Sequence, residues 1–264
     1  MKAKILITIL LASLIISVLS VAVGTAKPDD SNKGNESPKA GRPEKLEQII
    51  FVHPIASDKP GKPDKPGKPD KPPGKPPKED PPTDNTYYEL WGGYLFGTAE
   101  YYINPNVSLV AGGDPVAAIS AAAEAWDSET TSDLFEYAGT TDKNWYEEDE
   151  QNTISWVKFL PRDVIAVASM WYDSNGVVYE FDIVFNAFHK WGIDPVKEDK
   201  DKIRAFDIQN IATHEFGHTV GLDDLYDSLY RELTMYGYSS KGETIKCSLE
   251  EGDISGAQEL YNNE

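Results

Sequence analysis

His214-Glu215-Phe216-Gly217-His218-Thr219-Val220-Gly221-Leu222-Asp223-Asp224 is the stretch on which the reading of this 264-residue chain turns. His214 and His218 are four apart, so on an α-helix both imidazoles share one face, one turn apart. Two neutral imidazoles so placed can share a tetrahedral zinc ion, and Glu215 stands beside them as a candidate general base. Gly221 and Asp224 extend the pattern to His-Glu-x-x-His-x-x-Gly-x-x-Asp, and each added residue has a geometric task. On an unbroken helix Asp224 would lie about 15 Å along the axis from His214, at roughly 1.5 Å per residue. A zinc–oxygen bond is only about 2 Å. The helix must therefore stop and the chain turn back. Gly221 stops a helix readily, because it enters the left-handed region without steric cost. Asp224 is then the candidate third ligand, with Asp223 the neighbouring alternative and register favouring Asp224. Three protein ligands leave one coordination position for water, which marks a catalytic site as opposed to a closed structural one. The competing reading is an acidic amphipathic surface helix. Against it, two of the chain's four histidines fall here in register.

The rest of the chain divides by composition. Residues 1–26 open with Lys2 and Lys4, run apolar from Ile5 to Val23, and end in Gly24-Thr25-Ala26. This reads as an export signal cleaved after Ala26. The alternative is an uncleaved anchor, since a span needs roughly 20 apolar residues. Either way the remainder is expected outside the cytoplasm, secreted or held at the outer surface. Residues 27–86 are rich in Pro, Lys, Gly and Asp, with a short Lys-Pro-Gly-Lys-Pro-Asp repeat around 59–72. Proline favours extended polyproline II, and mixed charge keeps it solvated, so this reads as a disordered linker, stalk or short pro-segment. One apolar island, Ile49-Ile50-Phe51-Val52, interrupts it and is expected to form a short transient strand or to dock as a remnant pro-segment. Residues 27–86 hold 12 Lys/Arg against 11 Asp/Glu, whereas residues 87–264 hold 11 against 33. So acidic a domain repels nucleic acid and anionic membranes. Membrane association is expected only if the N-terminal segment stays uncleaved. A lone cysteine, Cys247, permits no internal disulfide. Glu147-Glu148-Asp149-Glu150 is a candidate for Ca2+, with a solvated acidic loop as the alternative.

Within 87–264, alternating positions from Tyr94 to Ile103 predict a first strand that ends near Asn104-Pro105. Asp114-Pro115 reads as an N-cap and first-turn proline for a helix over 114–127. Its Ile119, Ala122, Ala123 and Trp126 share one face. Strands are expected at Ile154–Val157, Val164–Tyr172 and Val177–Asn186, with Ser174-Asn175-Gly176 as a hairpin turn. In the last of these, Tyr179, Phe181, Ile183 and Phe185 alternate with Glu180, Asp182 and Val184. A helix from about Asp207 carries the two histidines, and a final helix runs from about Ser248 to Leu260, opened by a capping-box pattern. Strands first and helices later predict an α+β domain.

Residues 87–264 resemble the metzincin zinc peptidases, and within them the matrixins. The likeness lies in the extended zinc motif, in Leu233-Thr234-Met235-Tyr236, in Phe181–Asn186 and in Leu249–Tyr261. The resemblance implies a metzincin-like catalytic domain: a twisted mixed sheet, an active-site helix, a methionine turn and a C-terminal helix. It implies zinc ligation by His214, His218 and Asp224, with Glu215 activating water. Met235 would form the turn beneath the metal, and residues 181–186 the edge strand that pairs with an extended peptide. Met235 also reads as ordinary core filler. Three departures stand out. The third ligand is Asp224 where most of the family has histidine. No proline follows Met235-Tyr236-Gly237-Tyr238. Cys247 lies after the active site, so no cysteine switch is present. His53 and His189 read as ordinary residues.

The expected function is a secreted zinc-dependent endopeptidase, monomeric, that takes an extended peptide or protein substrate and uses one zinc ion. Tyr236 or Tyr238 is a candidate donor to the oxyanion, with a packed aromatic as the alternative. The rival reading is a non-catalytic secreted module on a Pro-rich stalk, and a third is a zinc hydrolase of non-peptide substrates.

Overall fold

A computed structural model describes residues 42–43, 45–56, 86–109, 113–144, 147–193 and 205–262. The expected export signal at 1–26 and most of the Pro/Lys/Gly-rich tract lie outside them. Among the described residues no helix is long and apolar enough to cross a membrane. The compact unit that carries the site spans Lys45–Glu264.

Among the described residues, nine strands and three α-helices follow in chain order. They are β1 (Glu47–Pro54), β2 (Tyr94–Leu95), β3 (Ala99–Ile103), α1 (Pro115–Asp127), β4 (Phe135–Thr140) and β5 (Asn152–Val157). Then come β6 (Val164–Tyr172), β7 (Val177–Asn186), β8 (Trp191–Gly192), β9 (Phe206–Asp207), α2 (Ile208–Val220) and α3 (Glu251–Tyr261). The main sheet has the order β1-β6-β7-β5-β3-β4, with β2 against the start of β7. From β4 to β7 the pairings are parallel; β6 is antiparallel to β7, and β1 is antiparallel to β6. This mixed sheet with its helices is an α+β, metzincin-like fold.

Two expectations change here. Residues 181–186 are not an edge strand. They belong to β7, which is hydrogen-bonded on both sides, to β5 and β6. The alternation of polar and apolar residues suggested one wet face, yet Glu180 and Asp182 are buried with the rest. Their carboxylates are satisfied at a distance: Glu180 accepts from the Asp149 and Glu150 amides, and Asp182 from the Thr153 amide. The strands at the two edges of the main sheet are β1 and β4. Second, the island at 49–52 is no brief strand but part of an eight-residue one, β1, which docks along β6 with a register shift between His53 and Pro54.

The helices follow from local chemistry. Asp114 caps α1 by accepting from the Val116 amide, with Pro115 in the first turn. Ala118, Ile119, Ala122, Ala123 and Trp126 form its buried face. The Trp126 indole reaches α2, where Nε1 donates to the Thr213 carbonyl at 2.9 Å. Asp207 caps α2 through the Asn210 amide. Almost all of α2 is buried, so two histidines and a glutamate lie inside the domain. The final helix starts later than expected: Glu250 is its cap, and Glu250 and Asp253 form the reciprocal box.

Candidate metal centre

Gly221 ends α2 with φ at 127°, a left-handed value that disfavours any side chain. The space also demands glycine, since a Cβ there would meet the Gly93 carbonyl oxygen at 2.5 Å. The chain then doubles back, and Leu222 and Asp224 return to the helix they have just left.

The return fixes both rings. His218 Nδ1 lies 2.9 Å from the Leu222 carbonyl oxygen, and His214 Nδ1 lies 2.7 Å from that of Thr234. A carbonyl only accepts, so each Nδ1 carries the proton and each Nε2 turns its lone pair inward. Asp224 Oδ1 lies 3.3 Å from His214 Nε2 and 3.6 Å from His218 Nε2. The His214 pKa is lowered to about 4, by burial first and by Lys246 second, so that ring is neutral at pH 7. Burial alone would raise Asp224, but the two histidines and the Tyr226 hydroxyl hold its carboxyl well below the usual range.

An acceptor nitrogen therefore faces a carboxylate oxygen in a dry interior, and neither His214 Nε2 nor Asp224 Oδ1 has a hydrogen-bond partner. Two buried acceptors in contact repel unless a cation lies between them. The spacing suits one. Two ligands at about 2.1 Å from a tetrahedral ion are separated by about 3.4 Å. His214, His218 and Asp224 thus form a buried triad whose ligand atoms fit a zinc ion. Asp223 is not brought to the rings; its Oδ1 accepts from the Asp224 amide at 2.8 Å.

Glu215 lies on the same side. One carboxylate oxygen, Oε2, is buried without a partner, and the other is 2.9 Å from Nδ1 of His53. Burial first, and then the charge of Asp224, push the Glu215 carboxyl well above its ordinary value. His53 had read as an ordinary residue. It is buried at the centre, with Nε2 3.0 Å from Ser239 Oγ and its ring 4.0 Å from that of His214. Phe51, two residues earlier on β1, stacks on His218 at 4.0 Å and 10°. His189 stays remote, with its Nε2 on the Val164 carbonyl.

Met235 lies under α2, where a Cβ on Gly217 would fall 2.2 Å from its Sδ. Its turn is pinned by Asp253 of α3, whose carboxylate accepts from the Thr234 amide at 2.8 Å and the Met235 amide at 3.1 Å. Because the Thr234 carbonyl holds the His214 ring, α3 positions the centre through one peptide unit. Beyond Met235, Tyr236 and Tyr238 pack edge-on, and buried Lys246 donates to both of their carbonyls. Sequence reasoning missed His53, Tyr226, Lys246 and Asp253. Of these, only the adjacency of Tyr226 to the motif left a trace in the sequence. Among the described residues, the acids at 147–150 are in no group spaced to hold a metal ion.

A model of the matrixin family matches residues 98–262. No curated protein matches the chain.

Proposed function

The chain belongs to the matrixin family, and on that premise we propose that it is an exported zinc endopeptidase acting on extended peptides. The family makes it a metallopeptidase with a peptide or protein substrate. The finer reading is supported by the buried triad: His214 Nε2 and Asp224 Oδ1 lie 3.3 Å apart, and among the described residues neither has a hydrogen-bond partner. In this reading His214, His218 and Asp224 hold the ion. Residues 1–26 export the chain, 27–86 precede the peptidase, and 87–264 carry the catalytic machinery.

Zinc, when bound there, polarises a scissile carbonyl and makes water acidic enough to yield a proton near neutral pH. Glu215 supplies the base. Its carboxylate takes a proton from the attacking water and then gives it to the leaving amine nitrogen. The Leu222 and Thr234 carbonyls keep both rings from rotating. The carboxylate of Asp224 leaves the triad with less net positive charge than a third histidine would, which moderates the acidity of the water.

The test compares the wild-type chain with Glu215→Ala. One zinc per chain, chelator-sensitive cleavage of unfolded protein, and a loss of about 10²–10⁴-fold in the variant with zinc retained are expected. Equal rates in the two forms overturn the mechanism. A stable chain that binds no zinc supports the non-catalytic module instead.

A further inference from the structure

The cleft that the peptidase reading requires already holds a piece of this chain. Strand β1 pairs antiparallel with β6, from Glu47 opposite Tyr172 to His53 opposite Ala166. It then leaves the sheet: the Ile55 amide donates to the Asp163 carbonyl at 2.7 Å, and the Ala56 amide to that of Ser239 at 2.9 Å. Ile55 also bridges Ser239 in parallel fashion. One extended segment thus touches both walls of the site, β6 on one side and the chain after Met235 on the other. This is strand addition, the mode by which an edge strand holds a peptide.

Side chains alternate along the added strand, and two on its inward face land on the centre. Phe51 lies flat on His218, and His53 lies against His214 with Nδ1 on Glu215 and Nε2 on Ser239. Both are buried, at 7% and 1% exposure, although each comes from a tract otherwise rich in proline and lysine. Opposite them on β6 stand Ala168 and Ala166, both fully buried.

We propose that Glu47–Pro54 is an intramolecular cover that holds the peptidase latent, with Phe51 and His53 as its two anchors. The proposal rests on the peptidase reading for what the cleft does and on the β1 contacts for what fills it. Two consequences follow from one placement. A substrate strand has no free edge on β6 to add to, and the Glu215 oxygen needed to receive a proton from water is engaged by an imidazole nitrogen. No thiol takes part; the hold is packing, a ladder of backbone hydrogen bonds and the two side-chain hydrogen bonds of His53, to Glu215 and Ser239. A bound substrate must displace the strand, so the affinity observed for any cleft ligand is reduced by the fraction of molecules that stand open.

The experiment uses the full chain in three forms: wild type, Phe51→Ala/His53→Ala, and Ile55→Pro. The proline form keeps both anchors but removes the Ile55 amide that donates to the Asp163 carbonyl. Two quantities are measured: the Kd of a peptide hydroxamate by calorimetry, and hydrolysis of a quenched fluorescent peptide. Both variants are expected to bind the hydroxamate at least tenfold more tightly than wild type and to cleave the peptide at least tenfold faster. Equal Kd values in all three forms overturn the cover, whether or not peptide is cleaved. Tighter binding without cleavage leaves the cover standing and overturns the peptidase reading. If tighter binding and faster cleavage are both seen, the Glu215→Ala comparison is repeated in the uncovered background. A third measurement needs no variant. In wild type, the alternate amides of β1 that face β6 are expected to be protected from hydrogen exchange and to lose that protection when hydroxamate is bound. Protection that persists in the bound state overturns the proposal.

Discussion

The Tyr226 hydroxyl donates to Oδ2 of Asp224 at 2.7 Å, and this leaves Oδ1 as the oxygen turned toward the two imidazoles. Tyrosine and aspartate are two apart, on the chain segment that returns after Gly221. Removal of the hydroxyl frees Oδ2 and lets the carboxylate rotate. Tyr226→Phe is expected to weaken zinc binding by about 10–100-fold, the usual cost of losing a group that orients a ligand. Competition against a chromophoric chelator measures it. Affinity within twofold of wild type shows that something else orients Asp224.

Gly217 lies between the two histidines on the face of α2 that meets the methionine turn. An alanine Cβ would approach Met235 Sδ to 2.2 Å and Trp126 Cζ2 to 2.8 Å. The thioether can shift, but the indole is held by its bond to the Thr213 carbonyl. Gly217→Ala gains up to about 1 kcal/mol of helix propensity. Overpacking costs about 1–3 kcal/mol, and with one neighbour fixed the cost should prevail. Urea denaturation is expected to show net destabilisation; a stabilised variant means that the indole yields.

Asp182 gives a pH signature. Burial first, and then the nearby charges of Glu180 and Asp149, raise its carboxyl to about 8, against the opposing bond from the Thr153 amide. Its unfolded value is about 3.9. A folded pKa above the unfolded one contributes stability that is fully present below about 3.9 and is lost as pH rises through about 8. Asp182→Asn keeps an oxygen for the Thr153 amide and carries no charge. Wild-type stability relative to this variant is therefore expected to fall between pH 4 and pH 8, by up to about 1.4 kcal/mol per pH unit. A flat difference across that window refutes the assignment.

Local chemistry made part of this legible in the sequence. The caps Asp114 and Asp207, the helical spacing of His214 and His218, and the helix stop at Gly221 all act within a few residues. What stayed hidden depends on partners far along the chain. Strand β4, with exposed side chains at Glu136 and Tyr137, exists because it pairs with β3, more than thirty residues earlier. In β7 the polar positions look solvated until their acceptors meet the amides of Asp149, Glu150 and Thr153. His53 is the extreme case, at a separation of 162 residues from Glu215. A four-residue apolar island in a proline-rich tract gives no hint of which edge it covers. Its role is visible only once β6 is known to be that edge.

Lys246 is expected to titrate in the opposite sense to Asp182. Its side chain is fully buried, and Nζ donates to the carbonyls of Tyr236 and Tyr238, the wall that follows the methionine turn. Burial lowers its pKa to about 8, although Glu243, Asp224 and Glu215 pull the other way. The unfolded value is about 10.4. A depressed pKa contributes stability that is fully present above about 10.4 and is lost as pH falls through about 8. Between those values the unfolded chain binds the extra proton, so stability should rise by up to about 1.4 kcal/mol per pH unit. Below that window both states are protonated and the slope vanishes. Lys246→Met removes the titration and takes the side-chain donor from both carbonyls; Tyr236 keeps the bond from the Tyr238 amide, and the loss at Tyr238 costs about 1–3 kcal/mol. The stability of wild type minus that of Lys246→Met is thus expected to be level below pH 7 and to climb toward pH 10. A difference that stays level to pH 10 shows that the amine is not buried as described. Should the variant fold too poorly to measure, Lys246→Arg gives the second reading, since a guanidinium stays charged and removes the climb while it keeps donors to both carbonyls.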